Sequence, residues 1–165
     1  SQFVTMSPIP GFLHWLSTQT EDPQVVAIVQ PFTNVVHNLC RQLGTDMTLN
    51  VVVCLNNILH SAGWHHHTEA EMLKEPVMKL CARYLLREKK HRDPVCNFHL
   101  KNGANILKLN WKADLSNKRL HESAGVMVNY FYHMDPNILE ANKRSYVSHS
   151  NVQAHAQVAE LAQLA

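Results

Sequence analysis

The sequence predicts one mixed α/β unit, on three observations. Apolar residues recur at helical spacing through much of the first hundred positions, and alternation with period two appears at 106–111 and 126–132. No repeat, low-complexity tract or flexible linker interrupts the 165 residues, of which 45% are hydrophobic and 17% charged, enough for a sizeable core.

The elements follow in order. Gln2-Phe3-Val4-Thr5-Met6 reads as a buried strand, which Pro8 and Pro10 stop by removing amide donors, so Ser7 stands where strand becomes loop. Gly11 to Leu16 is a short turn or helical start. Val25, Val29, Val36, Leu39, Cys40 and Leu43 keep helical spacing, with Pro31 dividing the segment. Thr45 and Asp46 are expected to cap a helix carrying Leu49 to Ala62 that Gly63 ends, although its valines leave a strand open. Thr68-Glu69-Ala70-Glu71 has the form of a capping box and predicts a helix to about Glu88, with Pro76 beginning a new turn. Asp93-Pro94 opens a further helix that stops at Gly103 and contains His99. Strands then fall at Ile106–Trp111 and Val126–Tyr132, joined through Leu115 to Ser123, and an alanine-rich amphipathic helix is expected from Val152 to Leu164.

Charge and cysteine usage narrow the function classes. A formal net charge of +2 gives no basic surplus for nucleic acid or anionic membranes, and no apolar run approaches the ~18 residues of a membrane span. The first residues carry no signal peptide or basic presequence pattern, and they enter a strand in mid-stride, so an upstream portion is expected. Cys40, Cys54, Cys81 and Cys96 lack CxxC pairing and read as buried reduced thiols.

The chemistry-bearing residues are few. There is no Gly-rich phosphate loop, His-Glu-x-x-His or nucleophile elbow. His65-His66-His67 cannot all face one ion and reads as a solvated loop rather than a metal site. Ser7, at a strand end before a rigid Pro-Ile-Pro-Gly turn, is either a turn serine or a fixed hydroxyl offered to a ligand. His99, between Phe98 and Leu100, is either a core histidine or a site residue.

Four ordered blocks decide between these alternatives. Ser7-Pro8-Ile9-Pro10-Gly11-Phe12, the run Asp93 to Ala104 around Asn97-Phe98-His99-Leu100, Leu109 to Ser116 and Ser123 to Tyr132 together resemble malonyl-CoA decarboxylases. The resemblance spans much of the chain but leaves Ser17 to Gln30 and the histidine run unsupported.

It implies a GNAT-type acyltransferase fold, of which this would be the carboxyl-terminal portion with an inserted helical stretch. It also implies conversion of malonyl-CoA to acetyl-CoA and carbon dioxide. The family's catalytic serine falls on Ser7, its catalytic histidine on His99, and an active-site tyrosine on Tyr132. No metal or redox cofactor is expected, since the coenzyme A thioester is itself the substrate.

The CoA-gripping loop, a further acidic site residue and the amino-terminal helical domain have no counterpart here and would come from upstream on the same polypeptide or from a companion chain. A homo-oligomer is possible on the same resemblance. The last residues lack a Ser-Lys-Leu address, which favours a mitochondrial or cytosolic over a peroxisomal setting, and the mitochondrial one is expected first. The different-class alternative is a non-catalytic, decarboxylase-derived structural subunit; an acyltransferase with changed chemistry is a weaker third.

Overall fold

In the computed structural model, residues 2–163 are described. Three strands, β1 (Gln2–Ser7), β2 (Asn105–Asn110) and β3 (Met127–His133), form one antiparallel sheet in the order β1-β3-β2. The strand that comes last in the chain therefore lies in the middle, joining the two that precede it.

Between β1 and β2 stand helices α1 (Phe12–Ser17), α2 (Pro23–Val29), α3 (Thr33–Leu43), α4 (Val51–Leu59), α5 (Lys74–Arg87) and α6 (Pro94–Lys101). After β2 come α7 (Asn117–Ser123), α8 (Pro136–His149) and α9 (Ala156–Leu161). The mixed α/β reading holds, and the helical stretch is inserted between the first two strands.

One N-terminal device recurs. Asp22, Asp93 and Asp135 each precede a proline, and each carboxylate accepts backbone amides of the first turn while the proline occupies a position that needs no donor. Helix α8 escaped the sequence reading although Asp135-Pro136 carries the same signature as Asp93-Pro94. Only Tyr146 of this helix is buried, and the apolar residues Ile138 and Val147 face solvent, so no apolar stripe is turned to the core. It is held instead by polar ties: Tyr146 Oη donates to Asn97 Oδ1 at 2.6 Å, and Asn142 Nδ2 donates to the Gly103 carbonyl at 3.1 Å.

Several expectations are corrected. β1 is not buried: it is an edge strand, with Phe3 59%, Val4 44% and Met6 54% exposed. The cap of α4 is Asn50, whose Oδ1 accepts from Val52 and Val53, and Leu49 lies outside the helix in solvent; Thr45 and Asp46 are too far upstream to reach its first turn. No side-chain cap forms at Thr68, where a 3-10 turn spans Thr68–Leu73 before α5 begins. The terminal helix is shorter than expected, because Ala154 bridges to Ile106 and holds the chain extended beside β2. The predicted end of that helix at Leu164 lies outside the described residues.

The core runs from the helical insertion into the sheet. Phe12, Leu16, Leu39, Leu55, Trp64, Leu80, Ile106 and Tyr130 are at most 1% exposed and belong to one continuous cluster. At about 1.5–3 kcal/mol for each large apolar side chain, this burial holds the insertion against the strands that carry the candidate site residues.

Candidate active site

The pleat of β1 puts Phe3, Thr5 and Ser7 on one face, and antiparallel pairing sets Tyr132, Tyr130 and Val128 opposite them. Helix α6 crosses this face. Asp93 fixes its start, and His99 falls on the side turned toward the sheet, 8% exposed.

Ser7, His99 and Tyr132 meet there. Ser7 Oγ lies 3.0 Å from His99 Nε2, and His99 Nδ1 lies 2.6 Å from Tyr132 Oη. The imidazole stacks on Tyr130, with ring centroids 4.2 Å apart and planes at 20°. Ser7 is 6% exposed, so its hydroxyl is fixed by its neighbours rather than by water.

Two further residues belong to this arrangement and were missed in the sequence. Thr5 Oγ1 sits 3.1 Å from Ser7 Oγ, and Tyr130 forms the floor under the imidazole. Alternation along both strands could have found them, since Thr5 and Tyr130 share a face with Ser7 and Tyr132.

Burial lowers the His99 pKa below its ordinary 6.5, so the ring is neutral at neutral pH. A neutral imidazole donates from one nitrogen and accepts at the other. The two distances assign which: 2.6 Å suits a hydroxyl donor, and 3.0 Å suits an N–H donor. The tautomer that fits both distances has Tyr132 donating to Nδ1, Nε2–H donating to Ser7 and the serine proton turned to Thr5. Desolvation raises the Tyr132 pKa and keeps its phenol protonated as that donor.

The histidine run stands elsewhere. Trp64–His66 is a 3-10 turn rather than an open loop, with the His65 carbonyl accepting from Lys112 Nζ at 3.1 Å. Among the described residues, no three His, Cys, Asp or Glu side chains converge as metal ligands would.

All four cysteines are free and buried, as read from the sequence. Burial raises the Cys81 thiol pKa well above its ordinary value and pushes that of Cys96 up to about 12. Neither is a ready nucleophile.

Fold and site together define a mixed α/β unit that sets a neutral histidine between a strand-end serine and a tyrosine. The chain belongs to the malonyl-CoA decarboxylase C-terminal domain family, whose model matches residues 1–165. It is 36% identical to the mitochondrial malonyl-CoA decarboxylase of Rattus norvegicus over 96% of its own length and 32% of that protein's.

The crystal structure of malonyl-CoA decarboxylase from Rhodopseudomonas palustris matches 97% of this chain with a TM-score of 0.72 and 31% identity, over 33% of its own chain. That from Agrobacterium vitis matches 99% with a TM-score of 0.73 and 28% identity, over 36% of its own chain. The chain thus spans about a third of the length of the relatives it matches.

Proposed function

We propose that this chain carries the serine–histidine–tyrosine side of a site that converts malonyl-CoA to acetyl-CoA and carbon dioxide, with CoA gripped by an upstream portion of the polypeptide or by a companion chain. The observation that carries the reading is the unbroken contact chain Thr5–Ser7–His99–Tyr132, built from residues 127 positions apart in a family of decarboxylases. The sheet and its covering helices are read as the carboxyl-terminal part of a GNAT-type fold. The relatives named mitochondrial favour that compartment, and self-association of the whole protein is part of the same reading.

In this reaction the bond between Cα and the departing carboxylate breaks, and its electron pair moves onto the thioester carbonyl as an enolate. Carbon dioxide leaves, and the enolate carbon then takes a proton drawn from solvent water. The thioester carbonyl is the electron sink, so the protein supplies donors where negative charge develops. His99 Nε2–H and the Ser7 hydroxyl become those donors when a substrate oxygen replaces Ser7 Oγ and Thr5 Oγ1 as their acceptor. Tyr132 holds Nδ1 as acceptor, which keeps the proton on Nε2 for that exchange. Decarboxylation of a thioester needs no acyl-enzyme, so Ser7 is not used as a covalent nucleophile.

The test is acetyl-CoA formation from malonyl-CoA by the protein purified from its native source, alongside the native polypeptide expressed in full with Ser7→Ala or His99→Asn. Loss of one developing-charge donor is expected to lower kcat by about 100- to 1,000-fold. Native protein that neither binds malonyl-CoA nor makes acetyl-CoA refutes the catalytic reading and leaves an inherited fold in a structural subunit.

A further inference from the structure

The two halves of the site come from distant stretches of chain, and one carboxylate joins them. The Gly11 amide, four residues past Ser7, donates to Asp93 Oδ1 at 2.8 Å. The other oxygen, Oδ2, accepts from Val95 and Cys96 at 3.0 Å each, capping the helix that presents His99.

Asp93 is 2% exposed, and among the described residues it forms no ion pair. Its charge is therefore held by three amides alone. Burial, the largest influence, raises its pKa against the lowering pull of those amides, so the ionised form is disfavoured where it stands.

Capping does not need this charge. Asn50 and Ser116 cap α4 and α7 with neutral side chains in the same molecule, each through one acceptor oxygen. What a carboxylate adds is a second acceptor oxygen on a side chain without donors, able to take an amide from another segment.

Resting on the decarboxylase reading above, we propose that Asp93 is a positioning residue that sets the Ser7–His99 separation by clamping the turn after Ser7 to the first turn of α6. Without the clamp, α6 keeps its cap but is free to shift against β1, and the 3.0 Å contact opens. Misplacement of a reacting group by about 1 Å is enough to cost about 100-fold in rate.

Two perturbations of the native polypeptide in full test this. Asp93→Asn keeps the capping oxygen and turns an amide NH₂ toward the Gly11 N–H, so donor faces donor. Incorporation of glycolic acid in place of Gly11 deletes only the donated hydrogen and leaves Asp93 and the cap intact, which keeps the test open if Asp93→Asn folds poorly.

Both are expected to lower kcat by about 10- to 100-fold while KM stays within about twofold, the signature of lost geometry rather than lost binding. Both should also abolish the protected His99 Nε2–H resonance expected in the proton NMR spectrum, as should Ser7→Ala. A variant that retains wild-type kcat and that resonance overturns the clamp and reduces Asp93 to a cap. If the wild-type protein makes no acetyl-CoA, the decarboxylase reading fails, and the resonance alone still decides whether Asp93 holds Ser7 against His99.

Discussion

Replacing Gly11 with alanine should destabilise the protein by more than a turn position ordinarily allows. Gly11 sits at φ −95° and ψ −2°, where any residue is comfortable, so the cost is steric. An added Cβ would lie closer than 3.0 Å to Tyr84 Oη, 3.3 Å from Asp93 Oδ1 and 3.4 Å from Tyr84 Cζ. Tyr84 cannot yield: it is 3% exposed, with its ring between Trp15 at 5.0 Å and Phe12 at 6.2 Å.

Overpacking of this kind costs about 1–3 kcal/mol, and exchanging glycine for alanine at a helix N-cap adds up to about 1 kcal/mol, so a loss of about 1–4 kcal/mol is expected. Tyr84→Phe removes the clashing oxygen and leaves Cζ at an ordinary 3.4 Å. The double variant should recover about 1–2 kcal/mol of the loss, because the two positions are in contact and their effects cannot add. Urea unfolding of wild type, both single variants and the double variant closes the cycle. If the double variant is as unstable as Gly11→Ala, or if Gly11→Ala alone is neutral, the close approach of Gly11 to Tyr84 is wrong.

Thr5→Val keeps the branched shape that suits a strand but takes away the acceptor for the Ser7 proton, so stability should change by no more than about 1.5 kcal/mol while kcat for acetyl-CoA formation falls, and Thr5→Ser should restore it. Because burial lowers the His99 pKa, the unfolded chain binds more protons than the folded one between the folded pKa and 6.5. The His99 contribution to stability is therefore complete above about pH 6.5 and is lost as pH falls through the folded pKa, and denaturation midpoints of wild type and His99→Gln across that window should differ in slope. Gly103→Ala should cost about 2–5 kcal/mol, since φ is +90° and the new Cβ would lie 2.6 Å from the Leu139 carbonyl; thermal melting measures it, and an unchanged midpoint refutes the close packing of α6 on α8.

The parts of the fold legible in the sequence are those written in local chemistry. Asp93-Pro94 announces a helix start and Ser7-Pro8 a strand end, because capping and donor loss act within a few residues. Alternation at Val126–Tyr132 places Tyr130 and Tyr132 on a common face, which was enough to recognise a strand but not to say what that face meets.

The illegible parts depend on partners far along the chain. The second bond of Asp93 reaches a residue 82 positions away, and nothing within the window around Asp93 distinguishes it from Asp22 or Asp135. The exposure of β1 is likewise a property of strand order, since Phe3, Val4 and Met6 would be buried in a central strand. Ser7 and His99 carried little signal of their own from spacing, and it was the resemblance of their surrounding blocks that singled them out.

The strand order also sets a clock on synthesis. Among the described residues β1 pairs with β3, the last of the three strands to be made, so at ~5–20 residues per second Phe3, Val4 and Met6 wait on the order of ten seconds for that partner. Throughout that interval β1 lacks its β3 partner while the helices between the two strands are already able to collapse. Ser7 and His99 therefore gain Tyr132 only once β3 has been made, and a chain stalled before Met127 holds the serine and the histidine without their tyrosine.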